Sequence, residues 1–471
     1  MTRSFQVDPS IEMPRVLAKG GRPSSGPCVG GHSSWILLAV FVALACSCLK
    51  ANEPEQNRFV TDSLKFDSTP RLEEALAGEP QSPSRARSGD SRLIQASVAS
   101  YSRSRTTPKI TNRAVKTSPQ SGGGISSSPG WQEIPNSTLR SVCPTPTPAE
   151  AVVGCPAVIE AWNSAVADTK RNRLIIWGGG HNDYWGNELY SFDMNLLKMQ
   201  RLNDPSPISN VQSCPEAYVD GKPSSRHTYG ALSYIAHADR MFVFGGGKSS
   251  CGNFSSGTWT LDLATLQWQQ MNPSGTHPPG GAGQVSDYDS DSKLVYLHDY
   301  VNGLYAYNFD KNSWTLVTAD PYGIDYHMNA VIDPKRKLFI VIGAAASHNG
   351  GIQVFNIGSK GSHARQSWSV SGCADLLSSA SPGLAYDPVQ DRVVGWPNFG
   401  NTVYIFNPDT RTCAAQTLPG GPTDSHHTGA ASTTTGTFGR LRYFPDKGVF
   451  ALVNEADSDA YILRLTPSVQ K

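Results

Sequence analysis

Short runs of apolar residues separated by tight polar turns recur six times between residues 158 and 465. Each copy has one apolar strand, a turn that contains Asp or Pro, a second apolar strand, and a third strand with an aromatic residue. The clearest second and third strands are residues 174–180 with 189–193, and residues 241–247 with 258–262. Asp, Pro and Gly suit such turns because they accept the required backbone angles or bond locally to the chain. Several short strands per repeat indicate a β-propeller.

The number of copies predicts an all-β propeller with six blades, and seven blades would require a further copy hidden in the pattern. The last copy supplies only three strands, at residues 438–444, 449–453 and 460–465. The missing outer strand, with its tryptophan, lies upstream at residues 130–135. We therefore expect this N-terminal strand to pair with the C-terminal strands. Such pairing closes the ring and removes exposed strand edges that would invite aggregation.

A second regularity links the third strand of a blade to the fourth. Trp259 is followed nine residues later by Trp268, and Tyr305 is followed at the same distance by Trp314. We expect the members of each pair to pack on one another between blades, because they lie on neighbouring antiparallel strands at a constant offset. Their predicted role is structural.

The N-terminal part of the chain differs from the repeats. Residues 35–45 form an uncharged apolar run after several basic residues, which is typical of a signal-peptide core and short for a membrane span. We assign residues 1–51 to a signal peptide or anchor region, with lipidation of Cys46 or Cys48 as an alternative. Residues 52–129 are rich in Ser, Pro and Arg, which predicts a disordered linker. The propeller then occupies residues 130–471, and we expect a secreted, periplasmic or cell-surface protein.

Charge and cysteine content narrow the picture further. The formal net charge of the 471 residues is +1, so charge gives no reason to expect nucleic acid as a partner. Six cysteines lie in the propeller region, and an even number behind an export signal suggests disulfides. No CxxC pair occurs, which argues against a thiolate zinc site. Pairing neighbours along the repeats predicts the disulfides Cys143–Cys155, Cys214–Cys251 and Cys373–Cys413.

The repeats resemble the kelch family, which is also met in central domains like that of galactose oxidase. The matching features are the glycine runs 178–180 and 245–247, the aromatic pairs that follow them, and the Arg-His-Thr sequence at residues 226–228. The resemblance covers residues 131–465 and is weaker in the later blades, where residues 343–345 and 395–397 replace the triple glycine. It implies a six-bladed kelch-type propeller in an exported protein of bacterial type. It implies no single activity, because this fold hosts binding modules and unrelated enzymes.

Candidate chemistry lies in the loops before each innermost strand and after each second strand, which gather around the channel of a propeller. Eight of the eleven histidines fall in or beside such loops. The stretch 181–185 follows three glycines, which permit close backbone approach, and it contains His181, Asn182, Tyr184 and Trp185. We predict that this stretch contacts a ligand.

Aromatic and amide groups side by side suit sugars, whose faces stack on rings and whose hydroxyls need donors and acceptors. The first hypothesis is therefore an exported enzyme that acts on a polysaccharide by β-elimination, as polysaccharide lyases do. It assigns acid and base roles to His181 and His227, with Tyr229 or Tyr184 as the partner. Asn163 and Arg226 would hold a uronate carboxylate. The other predicted substrate-binding residues are Asn182, Trp185, His327 and Asn329.

Two alternatives stand beside the lyase. A non-catalytic kelch module would bind a glycan or a protein at the cell surface, and the Arg-His pair would then only tie one blade to the next. A copper radical oxidase, suggested by the galactose-oxidase-like architecture, needs two His, two Tyr and a cysteine crosslinked to one Tyr, whereas the cysteines here are expected in disulfides. We expect a monomer without a cofactor, with copper or another metal as a minor alternative.

Overall fold

The computed structural model describes residues 124–146, 151–251, 253–345, 347, 349–422 and 436–466. These residues begin with strand β1 (Gly130–Ile134), a 3-10 helix (Arg140–Val142) and helix α1 (Ala157–Glu160). The strands of the first blade are β2 (Ser164–Asp168), β3 (Arg173–Trp177), β4 (Tyr190–Asp193) and β5 (Lys198–Arg201). A 3-10 helix (Val211–Ser213) and the short strand β6 (Arg226–His227) follow.

The second and third blades come next along the chain. The second blade contains β7 (Leu232–Ile235), a 3-10 helix (Ala236–Ala238), β8 (Arg240–Phe244), the short strand β9 (Gly247–Lys248), β10 (Thr258–Asp262) and β11 (Trp268–Met271). The third blade contains β12 (Ser274–Gly275), β13 (Val285–Asp289), β14 (Leu294–His298), β15 (Gly303–Asn308) and β16 (Ser313–Ala319). Strands β6 and β9 pair with one another outside the blades.

The remaining three blades complete the fold. The fourth contains β17 (Asn329–Asp333), β18 (Leu338–Gly343), β19 (Gly351–Asn356) and β20 (Gln366–Ser367). The fifth follows helix α2 (Ala374–Ser378) and contains β21 (Gly383–Asp387), β22 (Arg392–Trp396), β23 (Thr402–Asn407) and β24 (Thr412–Thr417). The sixth follows a 3-10 helix (Phe438–Arg440) and contains β25 (Leu441–Phe444), β26 (Val449–Leu452) and β27 (Ala460–Arg464).

The ring is closed as the sequence predicts. Strand β1 pairs antiparallel with β27, from Gly130 opposite Arg464 to Ile134 opposite Ala460, and so supplies the fourth strand of the sixth blade. The innermost strands contact one another in the order β2, β7, β13, β17, β21, β25 and back to β2. The prediction of six blades closed by an N-terminal strand is therefore confirmed for the described part of the chain.

The apolar core lies between the blades. Strand β18 is buried along nearly its whole length, because both faces of each sheet contact a neighbouring blade. Between the first and second blades, Trp177, Met241 and Trp259 belong to one buried cluster. Strand β24, at the outer edge of its blade, is largely exposed. This arrangement explains why the second strands read as continuous apolar runs, whereas the outer strands do not.

The aromatic pairs lie on neighbouring strands, but their register differs from the prediction. Trp314 lies opposite Tyr307 and not opposite Tyr305, and the rings of Tyr307 and Trp314 are 5.1 Å apart. Trp268 likewise lies opposite Leu261, and its ring packs 4.9 Å from Trp177 of the preceding blade. In both hairpins the residues that face each other are seven positions apart in the sequence, not nine. The predicted contact between blades is thus made, but by a different partner.

Three disulfides fix the loops, and their pairing is as predicted. Cys143–Cys155, Cys214–Cys251 and Cys373–Cys413 have Cα–Cα distances of 5.9, 5.7 and 5.2 Å, within the usual range. The predicted signal or anchor region, and the linker up to residue 123, lie outside the described residues. In the part of the chain that is described, none of the helices has the length and hydropathy of a membrane-crossing segment.

Candidate functional site

The two ends of the propeller channel differ because the strands are antiparallel. One end carries the loops before each innermost strand and after each second strand, and we call it the loop face. The other end carries the tight turns within each blade, and we call it the turn face. Every residue predicted to act in a site belongs to a loop or strand end at the loop face.

A repeated backbone turn shapes the channel opening at the loop face. In five of the six blades a residue two or three positions before the innermost strand has a positive φ, as at Trp162 (49°), Tyr229 (47°) and Phe438 (48°). The turns are linked from blade to blade, because the Tyr229 N–H donates to the Trp162 carbonyl over 2.7 Å and the Phe438 N–H donates to the Ser381 carbonyl over 3.1 Å. Left-handed backbone is unusual for such bulky residues and is typical of functional sites.

Aromatic rings from three blades meet at this opening. The ring of His227 lies 5.2 Å from Trp162, 5.7 Å from His181 and 6.2 Å from Tyr229, measured between ring centroids. Tyr229 in turn lies 6.3 Å from Phe438 of the sixth blade. We call these five residues the mouth cluster. The structure thus brings together His181, His227 and Tyr229, which the sequence predicts to act as a group.

His227 is held firmly within the mouth cluster. Its Nε2 lies 2.7 Å from Oδ2 of Asp183, and its backbone pairs with Gly247. The residue is only 4% exposed, so the ring has little access to a substrate. Asp183 was given no role from the sequence, although it lies inside the predicted stretch 181–185. The pair joins the first blade to the second, a structural role that the Arg-His motif also allows.

The side chains of Asn163 and Arg226, which the sequence predicts to hold a carboxylate, both make internal hydrogen bonds. The Asn163 side chain donates to the Ala157 carbonyl over 2.7 Å and accepts from the Thr228 N–H over 3.0 Å. The fully buried Arg226 guanidinium donates to Glu216 over 3.1 Å and to the Ser224 carbonyl over 3.1 Å. Burial acts to raise the Glu216 pKa, but the charge of Arg226 and the hydrogen bonds from Trp259, Ser255 and Arg226 together hold the pKa below its ordinary value.

Tyr184, which the sequence predicts to be an acid or base partner, lies in the core. Its side chain is fully buried, and its hydroxyl donates to Glu188 over 2.6 Å. Burial and the neighbouring Glu188 raise the Tyr184 pKa far above its ordinary value. Trp185 is also buried, in a small cluster with Val211 and Tyr218, and its indole N–H donates to the His181 carbonyl. Neither residue presents its side chain to the channel opening as the sequence suggested.

The other predicted binding residues are divided between the rim and the core. Asn182 is exposed beside the mouth cluster, where its carbonyl accepts from the Val152 N–H. The His327 ring lies 3.7 Å from Tyr326, which packs against Tyr229 and Phe438. Asn329, in contrast, is buried, and its side chain donates to the Pro382 carbonyl.

Asp325 supports His327 at this side of the opening. The Asp325 carboxylate lies 3.3 Å from Nδ1 of His327 and accepts from the His327 N–H over 2.7 Å. Burial acts to raise the Asp325 pKa, but the hydrogen bonds from His327 prevail and hold the pKa below its ordinary value. Tyr326 and His327 therefore extend the aromatic lining of the mouth cluster towards the fourth blade.

Exposed apolar side chains concentrate in the loops of the same face. Val219, Val301 and Tyr322 are well exposed, and Val152, Val153, Phe254 and Phe399 lie in equivalent loops. The exposed fraction of Tyr322 is 71%. The turn face, by comparison, is dominated by paired Asp, Arg and Lys side chains. An apolar rim around an aromatic opening is typical of a surface that binds another molecule.

The described residues contain no group of three or more His, Cys, Asp or Glu side chains arranged to hold a metal ion. All six cysteines of the propeller are paired, so none of them is available for the Tyr–Cys crosslink of a copper radical site. The copper alternative therefore lacks one of its required parts within this propeller.

Comparison with known proteins identifies the repeats. A family model described as the KLHDC2/KLHL20/DRC7 Kelch-repeats domain matches residues 152–321. Kelch domain-containing protein 10 from Xenopus tropicalis is 24% identical over 168 residues, which cover 32% of this chain and 35% of that protein. Residues 152–321 of this propeller are kelch repeats. The chain spans about a third of the length of the curated relative that it matches.

Two solved structures are also similar to the kelch propeller. TolB from Acinetobacter baumannii shares 14% identity at a TM-score of 0.35, with 55% of each chain covered. A structural genomics protein of unknown function from Bacteroides thetaiotaomicron shares 8% identity at a TM-score of 0.44, with 72% of this chain and 76% of that chain covered. Neither likeness is strong enough to carry a functional conclusion.

Proposed function

We propose that this kelch propeller is a non-catalytic recognition module that binds a protein partner across its loop face. The observation that carries the proposal is the apolar rim, which includes Val219, Phe254, Val301 and Tyr322 around the mouth cluster. Exposed apolar patches beside buried aromatic anchors are typical of protein interfaces. Kelch domains generally mediate interactions between proteins, which supports the same conclusion.

The geometry of the mouth cluster also favours binding over catalysis. A general base needs a ring nitrogen within hydrogen-bond reach of the substrate. His227 is almost fully buried and uses Nε2 on Asp183, and Tyr184 is enclosed in the core. The groups predicted to hold a uronate, Asn163 and Arg226, are saturated by internal hydrogen bonds. These four residues stabilise the loop face instead of presenting reactive groups.

The rim is tested by removing its apolar side chains. The variant Val301→Ser/Tyr322→Ser changes two exposed residues of the third blade, and Leu196→Ser/Val389→Ser changes two exposed residues of the turn face as a matched control. Proteins from the extracellular and cell-surface fractions of the source cells that bind the wild-type propeller are identified and purified. Each is then titrated against the wild-type propeller and against both variants. We expect the rim variant to weaken binding by about tenfold, as loss of interface anchors does, with the control unchanged. Equal affinities for all three proteins would contradict the proposal, as would the absence of any directly binding protein.

Carbohydrate recognition is the second candidate, and the mouth cluster favours it. Trp162 and His181 are half-buried beside Tyr229, an arrangement on which a sugar ring can stack. If the mouth cluster binds a glycan, Trp162→Ala should weaken the affinity for the glycan and leave the affinity for proteins unchanged. A lyase would release unsaturated products from uronate polymers and would lose turnover, but not affinity, in His227→Gln. We expect no such products from the wild-type protein.

We further propose that the protein works outside the reducing cytosol, either secreted, periplasmic or at the cell surface. The three disulfides support this location, because structural disulfides persist in oxidising compartments. Cell fractionation with alkylation of free thiols before lysis provides the test. We expect the protein in the exported fraction with its propeller cysteines protected from alkylation. Recovery from the cytosol with reactive thiols would contradict the proposal.

A further inference from the structure

An arginine of an innermost strand uses only one of its three guanidinium nitrogens in hydrogen bonds within the described part of the chain. Arg442 lies on β25, the innermost strand of the sixth blade, and its Nε donates to the Gly439 carbonyl over 3.1 Å and to the Ala165 carbonyl over 3.3 Å. Neither of its terminal nitrogens has a hydrogen-bond partner among the described residues. Gly439 leaves room for this guanidinium, because a Cβ built there would lie 2.6 Å from Nη2. Gly439 directly follows Phe438, so Arg442 lies close beneath the mouth cluster.

The charge that faces Arg442 comes from the opposite side of the ring. Asp287 lies on β13, which is three blades away from β25 in a ring of six. Its Oδ1 is 3.9 Å from Nη1 of Arg442, longer than the 2.7–2.9 Å usual for a charged hydrogen bond. The Asp287 oxygens instead accept from the Ile332 and Tyr288 N–H groups. The Arg442 and Asp287 side chains, 12% and 22% exposed, thus span the channel without closing on each other.

The opposite charges of Arg442 and Asp287 compensate each other only in part. Burial lowers the Arg442 pKa and raises the Asp287 pKa, and the attraction between the two residues offsets each effect only in part. A planar guanidinium whose two terminal nitrogens make no hydrogen bond to the residues described matches a carboxylate in shape and charge. On the neighbouring innermost strands the Ser233 and Ser286 hydroxyls are joined to one another over 2.8 Å. A carboxylate that reached Arg442 would compete with the Asp287 carboxylate.

We propose that Arg442 forms a carboxylate-binding site on the propeller axis, immediately below the mouth cluster. The site takes the carboxylate-holding role that the sequence assigned to Arg226 and Asn163, whose side chains are committed elsewhere. The carboxylate is either that of a free small acid or one carried by a uronic acid residue. The site goes beyond the proposed protein recognition and does not depend on it, because small acids test it separately.

The test measures the thermal unfolding midpoint of the propeller against the concentration of sodium acetate and of sodium galacturonate. Sodium chloride at the same ionic strength corrects for general salt effects. We expect a saturable rise in the midpoint for the wild-type protein, with at least one of the two acids. Saturation with acetate indicates a site for free acids, and saturation with galacturonate alone indicates a sugar-borne carboxylate. No saturable rise with either acid would overturn the proposal.

Variants of Arg442 and Asp287 test whether the carboxylate binds at the propeller axis. We expect Arg442→Gln to weaken the carboxylate affinity by about tenfold and Arg442→Lys to weaken it less, because lysine keeps the charge but lacks the planar fork. Asp287→Asn should strengthen binding, because the competing charge is removed. The matched control is Arg392→Gln, which removes an arginine that also lies 3.9 Å from an aspartate, Asp391, but outside the channel. Equal affinities in Arg442→Gln and wild-type protein would refute the assignment.

A double variant distinguishes an effect on folding from an effect on carboxylate binding. Arg442→Gln leaves Asp287 without its opposite charge, so Arg442→Gln/Asp287→Asn is made as well, since neutralising both partners avoids a buried uncompensated charge. We expect this double variant to fold and to show no saturable response to either acid. A folded double variant that still binds carboxylate like the wild-type protein would place the site elsewhere.

Discussion

At the scale of single residues, Glu188 shows how burial affects the protonation of a polar side chain. Glu188 is fully buried, and one of its oxygens accepts from both Tyr184 and Tyr190, whereas Oε2 has no hydrogen-bond partner among the described residues. Burial raises the Glu188 pKa, and the two tyrosine hydroxyls counter only part of that effect. A carboxyl group in this position resists ionisation, because water cannot reach its second oxygen.

Glu188→Gln should therefore change how stability depends on pH. Because folding raises the Glu188 pKa, the folded state keeps a proton that the unfolded chain releases near pH ~4.3. The free energy of unfolding of the wild-type protein then falls as pH rises above that value, until the folded-state pKa is reached. Glutamine has no such proton, so urea unfolding from about pH 4 to 8 should show a shallower fall. Exposed Glu133→Gln is the control, and parallel curves for Glu188→Gln and wild type would refute this account.

The sequence was most informative about which distant residues meet, and least informative about where their side chains point. His181, His227 and Tyr229 were expected together, and their rings lie within 6.2 Å of a common member. The same loops also contain Tyr184 and Arg226, which are turned into the core. Neighbouring residues in a tight loop face different ways, and the partners that capture them, Glu188 and Glu216, carry no sequence signal of that role. Arg442 was missed for the same reason.

At the scale of elements, the closing strand shows what a hydrophobic pattern can predict. The three strands of the last copy and the lone tryptophan upstream were sufficient to place β1 beside β27. The offset of the aromatic pairs was not predictable to the residue, because turn length decides the register. Trp131 anchors the closure, with its ring 6.3 Å from Trp396 and 6.2 Å from Tyr461 and its indole N–H on the Asn401 carbonyl.

We expect Trp131→Ala to destabilise the pairing of β1 with β27 more than it destabilises any other part of the ring. Truncating a buried tryptophan of this kind lowers the free energy of unfolding by about 3–5 kcal/mol. The local effect is seen by amide hydrogen exchange, which we expect to speed up in β27 before it does in β14. Trp368→Ala, in which a half-buried tryptophan 6.5 Å from Phe406 is removed, is the control and should cost less. Uniform exchange across all blades would contradict a closure anchored at Trp131.

At the scale of the whole molecule, the turn face holds neighbouring blades together by charge. Arg171 of the first blade contacts its own Asp168 and also Asp239 of the second blade, 3.1 and 2.7 Å away. Arg336 repeats the pattern between the fourth and fifth blades. It reaches Asp333, Asp391 and Asp409 at 2.8, 2.8 and 2.6 Å. The loop face lacks a comparable repeated pattern in the described residues, so charged contacts between blades are concentrated at the turn face, opposite the face proposed for recognition.

Arg336→Met should test that division directly. It leaves the buried Asp333 without its guanidinium, and we expect a loss of about 2 kcal/mol, between the values for exposed and buried pairs. Hydrogen bonds from Arg336 hold the Asp391 pKa below its ordinary value, so this stabilisation is present above pH ~4 and is lost as pH falls towards the lowered pKa. Urea unfolding of the variant should therefore differ from wild type at neutral pH and converge with it in acid. Exposed Lys311→Met should change little, and a pH-independent difference for Arg336→Met would show that packing, and not charge, joins the blades.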